Sequence, residues 1–219
     1  MYIFNAPEWF IGYDIGLELA FAVVALIVSW HAFKVYKITG QSPTKIFGIS
    51  FLFISISYFL QSFLNYSIVS NLNQSICLAL QLNNLIFLNT IEFYVHMVLF
   101  LLGLITLTYM TLKIKSKKTY VLLVIAIFTS TFLSSSQHYS FYFISSTLLI
   151  YIAMHYLINY LRHRQAKTLL VLFAFILLLF GSIHYFFAVN HSLFYAISHI
   201  LELIAYILIL INLILVTRK

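Results

Sequence analysis

Every Lys and Arg of this chain, twelve in all, falls into one of four short clusters: Lys34/Lys37/Lys45, Lys113/Lys115/Lys117/Lys118, Arg162/Arg164/Lys167 and Arg218/Lys219. The stretches between clusters are apolar and long enough to cross a bilayer and return, or to cross it once. Membrane proteins keep positive charge on the cytoplasmic side, so this spacing implies a chain threaded through a bilayer with all four clusters on one face. Composition agrees, because 63% of the residues are hydrophobic and only 8% charged, too little polar surface to coat a water-soluble globule of 219 residues. The formal net charge of +7 then belongs to loops leaning on the anionic lipids of an inner leaflet, and is not a mark of nucleic-acid binding.

A helix crosses the hydrocarbon with about 20 apolar residues, and seven stretches qualify: 13–35, 43–65, 88–112, 120–135, 139–161, 168–189 and 192–216. Basic loops follow helices one, three and five, and the basic C-terminus follows helix seven. The expected fold is therefore an all-α, multi-pass bundle of seven transmembrane helices in the cell membrane, with the N-terminus outside and the C-terminus cytoplasmic. The whole of 1–219 forms one domain, and any soluble catalytic or transcriptional output would come from a membrane or cytoplasmic partner protein. Segment 66–87 mixes Leu78, Leu80, Leu82 and Leu85 with Asn71, Asn73, Gln74, Gln81, Asn83 and Asn84. A crossing there would put basic loops on both sides, so it is expected on the outer surface as a short interfacial helix.

Ser42 before Pro43 reads as an N-cap followed by proline at the first helical position of helix two. Trp9, Phe10 and Trp30 suit interfacial anchoring. Residues 1–13 lack a basic start and a small-residue cleavage site, so no removable signal peptide is expected. One cysteine, Cys77, excludes an intramolecular disulfide, a cysteine-rich zinc site and a Cys-ligated iron–sulfur cluster, and reads as a small apolar side chain.

The acids are the residues that need explaining. Asp14 and Glu18 in helix one, Glu92 in helix three and Glu202 in helix seven stand at or inside apolar spans, where an ionisable group costs a few kcal/mol and marks a candidate functional site. His96 joins them on helix three, His184 on helix six, and His191 and His199 on or beside helix seven. Counted inward at about 1.5 Å per residue, Glu18, Glu92, His96, His184, His199 and Glu202 all fall in the outer half. Glu92/His96 are spaced i,i+4 and His199/Glu202 i,i+3, so each pair shares a helix face. Helix one adds a small-residue stripe, Glu18, Ala22, Ala25 and Ser29, suited to close packing. Helix two presents Tyr58, Gln61, Ser62 and Asn65 on one face.

Imidazole with carboxylate is a ligand set for zinc, iron, manganese or copper. The first expectation is a metal centre held by some of those six residues, or a haem b held by His184 and His199. Zinc with an open position would activate water around neutral pH for hydrolysis, and iron or haem would carry electrons. Buried hydrogen bonding between neighbouring Glu and His is the plainer alternative for any one of them. The rival function is a metal-free receptor-like sensor or a proton-coupled small-molecule transporter built on the same groups, and a third is a membrane assembly subunit. His31 and His155, near the inner ends of helices one and five, would form a second haem centre if those helices touched. No catalytic residue is assigned.

The layout resembles the microbial rhodopsins, which bind retinal through a lysine of helix seven; no lysine lies within any helix body here, which excludes a retinal Schiff base. It also resembles the seven-helix zinc hydrolases of the alkaline ceramidase and adiponectin-receptor type, but their helix-seven His-x-x-x-His pair is replaced by His199 and Glu202. The stretches FAFILLLFGSIHYFF and LFYAISHILELIAYILILINLILVTRK resemble the last two helices of small uncharacterised archaeal seven-helix membrane proteins. That likeness adds a little weight to His184 and His199 as site residues and brings no activity.

Overall fold

The structure, a computed structural model, describes residues 6–71, 85–112 and 116–217. Among these, all regular structure is helical. A single 3-10 turn, Glu8–Phe10, precedes α1 (Tyr13–Thr39), α2 (Ser42–Asn71), α3 (Leu85–Leu112), α4 (Lys117–Phe132), α5 (Gln137–His163), α6 (Ala166–Ala188) and α7 (Ser192–Thr217). Six of the seven helices are long and apolar enough to cross a membrane, and α4, with 16 residues, is the short one. The expected surface segment is mostly absorbed or undescribed. Residues 66–71 continue α2, where Ile68 is buried, and 85–87 open α3, while 72–84 with Cys77 lie outside the described residues.

Helix ends follow local chemistry. Gly40, at φ +68°, takes the left-handed conformation that ends α1 and returns its N–H to the Tyr36 carbonyl. At α2 the cap lies one residue earlier than expected. The Gln41 carbonyl accepts from the N–H groups of Thr44 and Lys45, so Ser42 is already helical and is not the cap. Proline within this first turn still forfeits no helical bond, because its missing N–H would have had no partner.

The helices close a ring in the order α1, α2, α3, α5, α6, α7 and back to α1, with α4 outside it against α3 and α5. The closest seam is between α1 and α2. Ser62 Oγ donates to the Ile15 carbonyl at 2.9 Å, Ser55 Oγ to the Ala22 carbonyl at 2.7 Å, and Ser29 Oγ to the Gly48 carbonyl at 2.8 Å. Residues 15, 22 and 29 thus run antiparallel to 62, 55 and 48. A seven-residue repeat on both helices keeps the seam in register, and small side chains let the backbones approach. At the α2–α3 seam the same closeness needs Gly103, where a Cβ would lie 2.6 Å from Ile54 Cγ1 and 3.0 Å from the Ser50 carbonyl oxygen.

The direction of the helices sorts the charges. Lys34, Lys37, Lys45, Lys117, Lys118, Arg162, Arg164 and Lys167 all sit at the ends or connections of one end of the bundle. This is termed the basic end. The other, charge-poor end carries the starts of α1, α3, α5 and α7.

Candidate functional site

One face of α7 organises the charge-poor half. Tyr195, His199, Glu202 and Tyr206 recur at i, i+4, i+7 and i+11, a single stripe, and α1 runs parallel to it. Across that seam Glu18, His199 and Glu202 are 0%, 1% and 5% exposed. Glu18 accepts both hydrogen bonds of the Asn65 amide, at 3.0 and 3.1 Å, and its Oε1 lies 3.9 Å from His199 Nε2. The other ring nitrogen, Nδ1, is 3.1 Å from the Tyr195 carbonyl. A carbonyl only accepts, so Nδ1 carries the hydrogen. The Tyr185 hydroxyl, 2.9 Å from the same nitrogen, is then free to donate to Glu202 Oε2 at 3.3 Å. Hydrogen bonds join His199, Tyr185 and Glu202, and Glu18 stands 3.9 Å beyond the imidazole, in ion-pair range but outside hydrogen-bond distance.

Tight packing holds this line in place. Gly181 on α6 leaves room for Glu202, whose Cγ would be 3.3 Å from a Cβ at that position. Phe21 stacks on Tyr206, with Tyr58 edge-on to both. Nearer the end, Asp14 accepts the N–H groups of Gly12 and Ile15 and the Tyr195 hydroxyl, a placement favoured by the positive end of α1. Phe10, expected as an interfacial anchor, is instead buried edge-on to Tyr195 and His199. It is a small lid over the imidazole, while Trp9 and Trp30 remain exposed.

The second group lies across the ring. His96 Nδ1 meets Ser57 Oγ at 2.9 Å, its ring packs on Phe100, and Gln61 lines the same space as Glu92. Between the two groups lies a cavity of about 420 Å³, lined by Gln61, Glu92, His96, Tyr142, Tyr185 and Tyr195 among others. Its rim, among the described residues, is formed by Asn89, Ser136, Gln137 and Val189 at the charge-poor end. Below it a recess of about 40 Å³ reaches Glu202, Ser145 and Ser182, room for about two or three waters. Tyr94 and Gln137 are hydrogen-bonded at the side of the vestibule.

The six expected ligands therefore part company. Among the described residues no three of His, Cys, Asp and Glu gather where a metal ion could be held. Glu18, His199 and Glu202 belong to the α1–α7 seam, while Glu92 and His96 lie on α3 across the cavity. His184 joins neither: its Nδ1 is 2.7 Å from the Phe180 carbonyl of its own helix and its ring packs on Phe194. The inner face of α6 carries Leu178, Gly181, Ser182 and Tyr185, and His184 is turned about 100° from Tyr185, so it does not pair with His199 about a haem. Nor do His31 and His155 meet, since α1 packs on α2 and α7 whereas α5 packs on α3, α4 and α6. His155 bonds Asn159 instead.

Sequence reasoning passed over Tyr142, Tyr185 and Tyr195 because tyrosine is so frequent here, with 16 in the chain. The usable signal was the shared stripe of Tyr195 with His199 and Glu202. No protein-family model, curated protein or solved structure matches this chain.

Proposed function

We propose that this chain is a seven-span membrane protein that takes a small polar ligand into its cavity from the side opposite the basic clusters, and couples its occupancy to proton movement. It is a receptor-like or carrier protein. The observation that carries this reading is the line Glu18–His199–Tyr185–Glu202 ending at the recess below the cavity. A proton accepted at His199 Nε2 from Glu18 would release the Nδ1 hydrogen towards Tyr185, whose hydroxyl hydrogen passes to Glu202. Such a line changes the charge at the floor of the cavity without a mobile ion crossing the seam.

The basic clusters support an orientation with the N-terminus outside, the C-terminus cytoplasmic and the basic end on anionic lipid. α4 counts as the seventh crossing. Its 16 residues rise about 24 Å, and it links the basic end to the charge-poor end.

The test uses Asn89→Cys at the rim and Ala188→Cys on the cavity wall, each in a Cys77→Ser background, in sealed vesicles of known orientation. A membrane-impermeant thiol reagent added opposite the basic clusters labels both positions. Labelling of Ala188→Cys only from the basic side, or from neither, overturns the reading.

A further inference from the structure

The cavity's walls have a consistent electrical character, and that character selects a ligand class. Two carboxylates reach it, Glu92 in the vestibule and Glu202 in the recess, and no Lys or Arg lines either space. Every Lys and Arg of the sequence belongs to the four clusters described above. A buried carboxylate is costly unless a positive group or hydrogen-bond donors face it.

Glu202 accepts from the Tyr185 hydroxyl, whereas two other wall atoms have no donor. Gln61 lines both spaces, and its Oε1 is buried without a hydrogen-bond partner. Ser145 is 1% exposed, lines the recess, and its Oγ likewise has no partner. Aromatic rings complete the enclosure: Tyr142 stacks on Tyr185 with centroids 5.3 Å apart, and Tyr195 stands edge-on to Tyr185. The walls thus combine acceptors with aromatic faces and hold no Lys or Arg; their two histidines are engaged, His96 with Ser57 and His138 in a stack on Phe93.

An ammonium has hydrogen-bond donors and no acceptor, and a cation is attracted to the face of a tyrosine ring, the more so when water is excluded. Resting on the reading that the cavity takes a small polar ligand, we propose that the ligand is a small organic monocation, a protonated amine carrying an apolar or aromatic body. Its ammonium head lies between Glu92 and Gln61, and its body lies against Tyr142 and Tyr195. The volume of about 420 Å³ is at the small end of ligand pockets, which fits a single-ring amine rather than a lipid or a peptide.

Three probes of nearly one shape separate charge from size: phenethylammonium, hydrocinnamamide and hydrocinnamate. Each is added to the full chain carrying Cys77→Ser and Ala188→Cys, and the rate of thiol labelling is followed. Saturating phenethylammonium slows labelling about tenfold or more by occupying the cavity, and Glu92→Gln abolishes this protection, the rate in each protein being compared with its own rate without the probe. Equal or better protection by the amide or the carboxylate, or protection by phenethylammonium that survives Glu92→Gln, overturns the assignment. Labelling that none of the three slows also overturns it, and leaves the cavity reading standing. If Ala188→Cys is not labelled at all, the cavity reading fails with it.

Discussion

The two ends of the bundle treat polar atoms in opposite ways. In the basic half, hydroxyls mostly return to backbone carbonyls: Ser29 to Gly48, Ser50 to Phe47, Thr106 to Leu102 and Thr111 to Thr108. Their neighbours are buried apolar side chains such as Phe51, Leu104, Ile105, Leu149 and Phe175. In the charge-poor half, side chains bond to side chains on other helices, as Asn65 does to Glu18, Tyr185 to His199 and Glu202, and Ser57 to His96. A hydroxyl satisfied by a backbone carbonyl is a local bond that leaves no group to exchange a proton or meet a ligand. A network of carboxylates and imidazoles keeps its members only while each partner is present, so it is stabilised by packing elsewhere. The basic half supplies that rigid frame, and the charge-poor half carries the cavity.

The comparison breaks first at Gly103. A Cβ there meets Ile54 and the Ser50 carbonyl at distances no small shift relieves. Gly103→Val is expected to lose about 3 kcal/mol, the upper range for overpacking, read as a fall in thermal midpoint in detergent. Gly16→Ala, where a Cβ meets nothing within 4 Å, leaves the midpoint in place. Equal behaviour of the two variants would show that the frame is not tightly packed.

The network gives the next effect. Asn65→Leu deprives the fully buried Glu18 of both amide hydrogen bonds and is expected to cost about 2 kcal/mol, the penalty of an unsatisfied buried group. Glu18→Leu in the same chain should return most of that loss, because an apolar pair leaves nothing unsatisfied. A double variant worse than Asn65→Leu alone would mean that Glu18 has another essential partner. Tyr185→Phe follows at about 1 kcal/mol. It removes the hydroxyl between His199 and Glu202 while keeping the ring stacked on Tyr142. If the relay operates, proton exchange on ligand binding should fall much further than stability does, and a parallel loss of both would reduce Tyr185 to a structural role.

How much of this could be read in advance differs between the halves for a physical reason. Hydropathy located each of the seven described helices, with boundaries off by a few residues where polar ends stay helical: α4 begins at Lys117 rather than Tyr120, and α2 runs on to Asn71. Cost located the acids, because a carboxylate in an apolar span has to be explained wherever it points. The order of the ring was not legible. Six apolar helices match one another equally well by composition, and hydropathy carries no sign that α4 packs outside the ring against α3 and α5. Rotation was the second gap. Glu18, His199 and Glu202 do converge, whereas His184, one position from Tyr185, turns out of the site. A single-residue offset decides such a matter, and spacing within one helix cannot fix the phase of that helix against its neighbours.

The smallest effect probes the frame where it meets the site. The α1–α2 seam carries Gly48, Ser55 and Ser62 opposite Ser29, Ala22 and Ile15, a repeat that runs from the basic half into the charge-poor half. Interhelical hydrogen bonds in membranes are worth on average about 0.6 kcal/mol, so Ser55→Ala and Ser62→Ala should each shift the thermal midpoint slightly. The rungs are seven residues, about 10.5 Å, apart, far enough that independent contributions add. Additive losses would make the seam a row of separate bonds on a rigid track. A loss in the double variant well beyond the sum would mean that α1 slides on α2 once two rungs are gone, carrying Glu18 away from Asn65. In that case cavity protection by phenethylammonium should weaken together with the seam, tying the passive half to the binding half through one helix.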